Sequence, residues 1–314
     1  MTRSLPCGTT RSTVCTFTTT RKQYKHPARP TYHNKPTRKR VISANMEGRL
    51  FKYGPDSCHT AFQTGSHKRH CIFVGGLTDG LLATKYIEPL AESLDAAGWS
   101  LVQTLLSSSY RQYGISSIDQ DAKELNLLVQ HLKSKEATHV VIAGHSTGCQ
   151  DALRYVQKFP DTIDGVILQA PVSDREYLEL WPATSEKLRR AQRMVAEGAG
   201  QELMPRNTDF CAPMCADRYV ALVQRLGDDD HFSWDFSDSE LEARVAHMQS
   251  LPVLVMMSGA EEYVPPNVNK GQLAQRLALA MGAEWVLIAG GDHSLSNHTE
   301  EAVQRMLQFV TKLD

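Results

Sequence analysis

No run of apolar residues in this sequence approaches the roughly 18 that a membrane-crossing helix requires, so no membrane span is expected. C-x-x-C pairs are also absent. The seven cysteines stand at 7, 15, 58, 71, 149, 211 and 215. Cys211 and Cys215 are four apart, but no second pair or nearby histidine cluster completes a zinc site. An odd, scattered set of this kind argues for reduced thiols in an intracellular compartment rather than a disulfide framework. Acidic residues are missing from the first 46 positions, which hold ten Lys or Arg among many Thr, Ser and Pro. That is the composition of an organelle transit peptide, with a plastid favoured over a mitochondrion. An unaddressed tail on a cytoplasmic protein is the alternative. A nucleic-acid-binding arm conflicts with the rest of the chain, where 24 of the 34 basic residues face all 35 acidic ones and phosphate would be repelled. No nucleic-acid partner is expected.

What is present from about Glu47 onward is globular: 41% hydrophobic and 22% charged residues over the whole chain, with length enough for one large core and an insertion. Leu50–Tyr53 and Thr60–Thr64 read as short strands around a Gly-Pro-Asp turn. Apolar runs at Cys71–Val74, Trp99–Leu105, His139–Ala143 and Val166–Gln169 read as buried strands. Between them lie stretches with helical spacing: Ile87, Leu90, Leu94 and Ala97, stopped by Gly98, and Ile118, Ala122, Leu125, Val129 and Leu132. Strands alternating with helices predict a mostly parallel, doubly wound α/β sheet whose strand ends share one ligand-binding rim. After Ala170 the alternation stops. Residues 174–250 carry amphipathic pieces such as Ser185–Glu197 and Cys215–Leu226 and no convincing strand, which predicts an inserted helical cap. The pattern resumes at Val253–Met257, a helix over Gly271–Met281, a strand at Trp285–Ile288 and a final helix from about Thr299. The domains are therefore a tail at 1–46, a core at 47–173 and 251–314, and a cap at 174–250.

The chemistry concentrates at Gly144-His145-Ser146-Thr147-Gly148, a G-x-S-x-G pattern set between a strand and a helix. A serine on so sharp a turn is held with Oγ exposed, while the new helix directs free N–H groups at the developing negative charge. A nucleophilic serine needs a base, and the base needs an acid to fix its tautomer and support its cation. In the order Ser, acid, His, the acid belongs after the strand that follows the cap, where Ser258-Gly259-Ala260-Glu261-Glu262 stands. The histidine belongs after the last strand, at Gly290-Gly291-Asp292-His293. The expected acid is Glu261, four residues before Pro265, with Glu262 and Asp174 as alternatives. The backbone N–H groups of Leu77 and Thr147 are the expected oxyanion donors, since Gly75-Gly76 lets donors approach a ligand. Gly76, His145 and Arg175 are candidate substrate contacts, although the His145 ring should point away from the Ser146 Oγ. Asp228-Asp229-Asp230-His231 resembles a metal cluster, but consecutive acids in a loop more often cap a helix or face solvent, so no metal and no cofactor are expected. The acidic, aromatic stretch Asp228–Glu240, with Phe232, Trp234 and Phe236, is expected to wall a pocket for a polar ester rather than a lipid.

GHSTGCQD, the loop SSSYRQYGISSIDQDAKEL, LQAPVSDREY, DDDHFSWDFSD and SGAEEYVPP together resemble a poorly characterised branch of the α/β-hydrolases that includes fungal siderophore esterases. The resemblance covers roughly residues 47–314. It implies a serine esterase acting on a small-molecule ester, with Ser146 and His293 in its triad. Where the family's acid motif is expected to hold Asp, this chain has Glu261 followed by Glu262. Other readings of the same fold are a catalytically silent ligand-binding or interaction protein and an acyltransferase or lyase.

Overall fold

The computed structural model describes residues 45–206 and 210–313; the basic tail, and with it the targeting expectation, lies outside the described residues. The chain begins with β1 (Arg49–Lys52), β2 (Thr60–Thr64) and β3 (Arg69–Val74). Helix α1 (Ile87–Ala96) then leads through Gly98, at φ +77°, into β4 (Trp99–Leu105). Next come α2 (Ile118–Ser134), β5 (His139–His145), α3 (Gly148–Lys158) and β6 (Gly165–Gln169). Helices α4 (Asp174–Glu179), α5 (Thr184–Ala196), α6 (Ala216–Val223) and α7 (Asp238–Val245) fill the interval before β7 (Val253–Ser258). The chain closes with α8 (Lys270–Met281), β8 (Glu284–Ile288) and α9 (Thr299–Val310).

Among the described residues these strands form one eight-stranded sheet in the order β1-β2-β4-β3-β5-β6-β7-β8. β1 and β2 pair antiparallel with each other, and β2 runs antiparallel to β4. Every pairing from β4 through β8 is parallel. The central strands alternate sides as the pleat requires. Ile72, Val74, Val140, Ile142, Val166 and Leu168 join a core with the apolar faces of α2, α3 and α8. Cys71, Phe73, Val141, Ala143 and Ile167 face the opposite way, onto α1 and α9. Both faces of the sheet are thus covered, and this is why the middle strands read as continuous apolar runs. The last strand, β8, lies at an edge, and its Trp285 is 43% exposed.

Helices α4 to α6 have a third apolar cluster of their own, with Leu178, Ala191, Met214, Tyr219 and Leu222 around Tyr113. The stretch Asp228–Glu240 is not an open pocket wall as the sequence suggested. Phe232 and Phe236 are buried in the main core, and Trp234 packs against it beneath the Arg276 guanidinium. Its acids are likewise held by arginines: Asp229 accepts two hydrogen bonds from Arg218, at 2.7 and 2.6 Å, and Asp230 accepts one from Arg175 Nε at 3.0 Å. Among the described residues no cluster of three metal-binding side chains forms.

Candidate active site

The strand β5 ends at His145, and the chain turns directly into α3 through Ser146 at φ +55°. A non-glycine residue in the left-handed region costs energy and persists only where the surroundings fix it. Here β6 does so: the Ser146 N–H donates to the Gln169 carbonyl at 3.0 Å. Gly148 then passes so close to β3 that a Cβ would fall 2.3 Å from the Val74 oxygen. The motif's second glycine is therefore a requirement of packing, and the elbow is pressed into the centre of the sheet's rim.

The loops after β7 and β8 are bonded to each other through their backbones, Gly259 N–H to the Ile288 carbonyl and Ala260 N–H to that of Gly291, both at 2.8 Å. This register brings Glu261 and His293 together. The His293 Nδ1–H donates to Glu261 Oε1 at 2.7 Å, and that carboxylate is 2% exposed. Glu262 takes a different place, its Oε2 accepting the His293 backbone N–H at 3.0 Å. Asp174, the first residue of α4, makes no hydrogen bond to His293; its charge acts on the ring from a distance. Burial opposes a charge on His293, but the bonded Glu261 and the nearby Glu262 and Asp174 outweigh it and hold the imidazole pKa above its ordinary value. Asp174 itself is pushed up to about 7 by burial, with Asp229 adding to the effect and Arg218 and His293 opposing it.

Gln169 joins the two halves of the site, and nothing in its local sequence context singles it out. It is fully buried at the end of β6. Its backbone carbonyl holds Ser146, while its side-chain Nε2–H donates to the His293 carbonyl at 2.9 Å. Its Oε1 accepts from the His145 Nδ1–H at 2.6 Å and the Tyr86 hydroxyl at 3.1 Å. The His145 ring consequently lies inside the protein, with its centroid 5.0 Å from that of His293. Burial, and then the charge of His293, push its pKa down to about 3 despite the Gln169 bond, so it stays neutral beside the more basic ring. Tyr263 packs edge-on to His293 at 4.6 Å between centroids, and Tyr177 packs on Tyr263 at 5.0 Å, giving the histidine an aromatic flank.

On the other side of the elbow, no acceptor among the described residues takes the backbone N–H of Leu77 or of Thr147. Gly76 is different: its N–H donates to Asp79 Oδ2 at 2.8 Å. Its role is to leave space, because a Cβ there would meet that of Ser146 at 2.7 Å. Arg175 does not face a ligand as expected. It is 1% exposed, with Nε bonded to Asp230, Nη1 to Glu179 and Asp235, each at 3.0 Å, and Nη2 to Asp235. The partners lie up to 60 residues away in sequence, which is why the arginine looked free.

The chain has relatives among known proteins. A family model described as "Protein of unknown function (DUF1749)" matches residues 39–313. A UPF0613 protein of Schizosaccharomyces pombe is 34% identical over 230 residues, 65% of this chain and 72% of its own length. Fusarinine C esterase sidJ of Aspergillus fumigatus is 30% identical over 318 residues, spanning 78% of this chain and 88% of that one. Among solved structures, siderophore hydrolase EstB from Aspergillus fumigatus superimposes with a TM-score of 0.72 at 27% identity, covering 87% of this chain and 99% of EstB. The fold is that of the α/β-hydrolases, and the chain belongs to the DUF1749 family.

Proposed function

We propose that the protein is a serine hydrolase that cleaves a carboxylic ester of a polar small molecule through Ser146, His293 and Glu261. The observation that carries this reading is the Glu261–His293 hydrogen bond, formed at the rim where Gln169 ties the His293 carbonyl to the strained Ser146. In the reaction, His293 Nε2 takes the proton as Ser146 Oγ attacks the ester carbonyl. Glu261 keeps the proton on Nδ1 and supports the imidazolium. The N–H groups of Leu77 and Thr147 receive the oxyanion of the tetrahedral intermediate. His293 returns the proton to the departing alcohol, and a water molecule activated the same way releases the acid from the acyl-enzyme.

In this reading residues 174–250 are the cap over a core built from 47–173 and 251–314. The relatives named as esterase and siderophore hydrolase support ester chemistry. A polar substrate accords with the polar side chains of Asp79, Ser108 and Ser109 in the pocket beside Leu77 and Thr147. Short polar hydroxyacyl esters should therefore be turned over with a higher kcat/KM than a long-chain triacylglycerol. The test of the nucleophile is labelling by a fluorophosphonate, expected on Ser146 and absent from Ser146→Ala. The variant should lose ester hydrolysis by at least about 10⁴-fold while keeping its melting temperature. Unchanged turnover in the variant would remove the assignment.

A further inference from the structure

At the end of β3 away from the serine elbow a recess opens between β1, the end of β2, the start of β3 and the last turns of α2. Arg49, His67, Lys68, His70, His131 and Lys135 line it, and no Asp or Glu does. The free space is about 320 Å³, the liquid volume of roughly ten water molecules. We propose that this recess binds a small hydroxylated phosphate monoester, its phosphate held by Arg49, Lys135, His70 and His131. His70 lies five residues before Gly75, roughly 17 Å at the rise of a strand. The site is therefore separate from the ester site and does not depend on the serine-hydrolase reading.

Two of the six cationic or imidazole groups are matched by acids. The His67 Nε2–H donates to Asp95 Oδ1 at 2.9 Å, and Lys68 Nζ donates to Glu136 Oε2 at 2.6 Å and to the Lys135 carbonyl at 3.2 Å. The other four have no carboxylate partner among the described residues. Arg49 gives Nη2 to the Gln63 side chain at 3.4 Å and lies over the Phe51 ring at 5.3 Å, while the His131 ring stacks on the same phenyl group at 5.0 Å. Phe51 thus holds both groups at the recess with no anion between them. His70 is an independent observation. It is 5% exposed, and neither of its ring nitrogens has a hydrogen-bond partner among the described residues. Nδ1 is sealed from solvent, which leaves Nε2 as the nitrogen that meets the recess. Buried polar groups are rarely left in that condition. Basic side chains at a helix C-terminus commonly complement its dipole, which accounts for His131 and Lys135 taken alone. It does not account for Arg49 and His70, which come from β1 and β3.

Without a ligand these charges repel one another. Burial, and then Arg49, His67 and Lys68, push the His70 pKa down to about 4; burial, Lys135 and Arg49 lower that of His131. The Coulombic part of each shift has the sign that a bound anion would oppose. A phosphate dianion offers acceptors to a guanidinium, an ammonium and two imidazole N–H groups, and charge-assisted hydrogen bonds are about twice as strong as neutral ones. Neutral His70 can donate when its single proton sits on Nε2. Inorganic phosphate would leave most of the space empty, and a hydroxylated remainder would meet Gln63 and Ser66. A recess with a buried imidazole in its wall suits a compact ligand better than a nucleic-acid strand, which the acidic balance of the rest of the chain would repel.

The experiment is a calorimetric titration of the full-length protein in low-salt, phosphate-free buffer at neutral pH. The probes are glycerol 3-phosphate, glucose 6-phosphate, citrate, glycerol and a single-stranded oligonucleotide. At least one phosphate monoester should bind about tenfold or more tightly than citrate and glycerol, and its binding should weaken as salt is added. Lys135→Glu should weaken that binding by at least about tenfold, and His70→Gln by at least about threefold. Lys133→Glu makes the same charge change on α2 outside the recess wall and should cost less than about threefold. The ligand comparison and the two lysine variants stand without His70→Gln should it fold poorly. Citrate binding as tightly as both monoesters, or no monoester binding at all, would overturn the proposal. Equal losses from Lys135→Glu and Lys133→Glu would overturn it in favour of a diffuse basic field, and an oligonucleotide binding more tightly than both esters would make this a nucleic-acid face.

Discussion

Glu261, in the loop after β7, and Asp151, in the first turn of α3, are both carboxyls almost fully withdrawn from solvent, 2% and 4% exposed, yet they are held in opposite ways. Glu261 meets a ring that can take up a proton, and the pair shares a 2.7 Å hydrogen bond. Asp151 meets another acid, Asp121, and its pKa rises well above the ordinary carboxyl range, first through burial and then through that neighbour. The partners differ: a basic ring for one, a second acid for the other. In the proposed reaction Glu261 stabilises the cation that forms on His293. Asp151 favours its neutral, protonated form.

The largest break in this comparison is Glu261→Gln, which keeps the shape and removes the charge. kcat should fall by roughly 10³–10⁴, because an amide neither supports the imidazolium nor enforces the right tautomer. Glu262→Gln, which alters a bond to the His293 backbone, should cost far less. Comparable losses from the two variants would mean that the ring and backbone contacts are not distinct in function.

The pH profile sharpens the same contrast. In the proposed mechanism His293 acts as a base only when neutral, and its pKa is held above the ordinary value of about 6.5. kcat/KM should therefore rise with pH through a midpoint above 6.5, falling about tenfold per unit on the acid side. Whatever activity remains in Glu261→Gln should show that midpoint moved down, since the variant loses the carboxylate that favours the charged ring. A midpoint unmoved by the substitution would contradict the coupling.

For the acid pair the readout is stability. The folded protein holds a proton on Asp121 up to a pH of about 7, whereas the unfolded chain releases it near 3.8. Between those values the folded state binds more protons, so the stabilisation is complete below about 4 and is lost as pH rises towards 7. Asp121→Asn should flatten the fall in unfolding free energy over that window by up to ~1.4 kcal/mol per pH unit. Denaturant melts at pH 5, 6 and 7 measure it; identical slopes in both proteins would show that Asp121 is ionised across the window.

How much of this was legible in the chain depends on distance. The β5–Ser146–α3 turn stands out because its strand, glycines and helix are contiguous, and the loops after β7 and β8 stand out by their order behind apolar runs. The alternation of strands and helices likewise predicts the parallel sheet, since local periodicity reports which faces are buried. Gln169 does not stand out: its importance comes from meeting Ser146, His145 and His293 at once, and nothing local marks a glutamine at a strand end. Asp121 and Asp151 look like ordinary first-turn acids of α2 and α3 until the sheet brings the two helices together. Phe232 and Phe236 hide their burial for the same reason, since their irregular stretch shows no period by which to tell core from wall.

Arg175 gives the smallest expected effect on catalysis and the clearest division between a ligand-facing arginine and a structural one. Asp229 and Asp230 are adjacent, and each meets a buried arginine; Arg218 borders the pocket beside Leu77 and Thr147, while Arg175 is enclosed by Asp230, Glu179 and Asp235 and lies over the Phe236 ring. Four of the five N–H groups of its guanidinium are bonded, and Nη2 also lies 3.8 Å from the Glu176 carboxylate, in a side chain that is 1% exposed. Arg175→Met should therefore change kcat/KM for any ester by less than about threefold. Stability is another matter, since removing one member of a buried ion pair commonly costs ~3–5 kcal/mol. The cost here should lie at or below the lower end, because Asp230 keeps the Leu226 N–H at 2.9 Å and the Ser173 and Ser233 hydroxyls. Thermal melting together with initial rates on one ester distinguishes the roles. A more than tenfold loss of kcat/KM at unchanged melting temperature would return Arg175 to the substrate-binding set that its position after β6 first suggested.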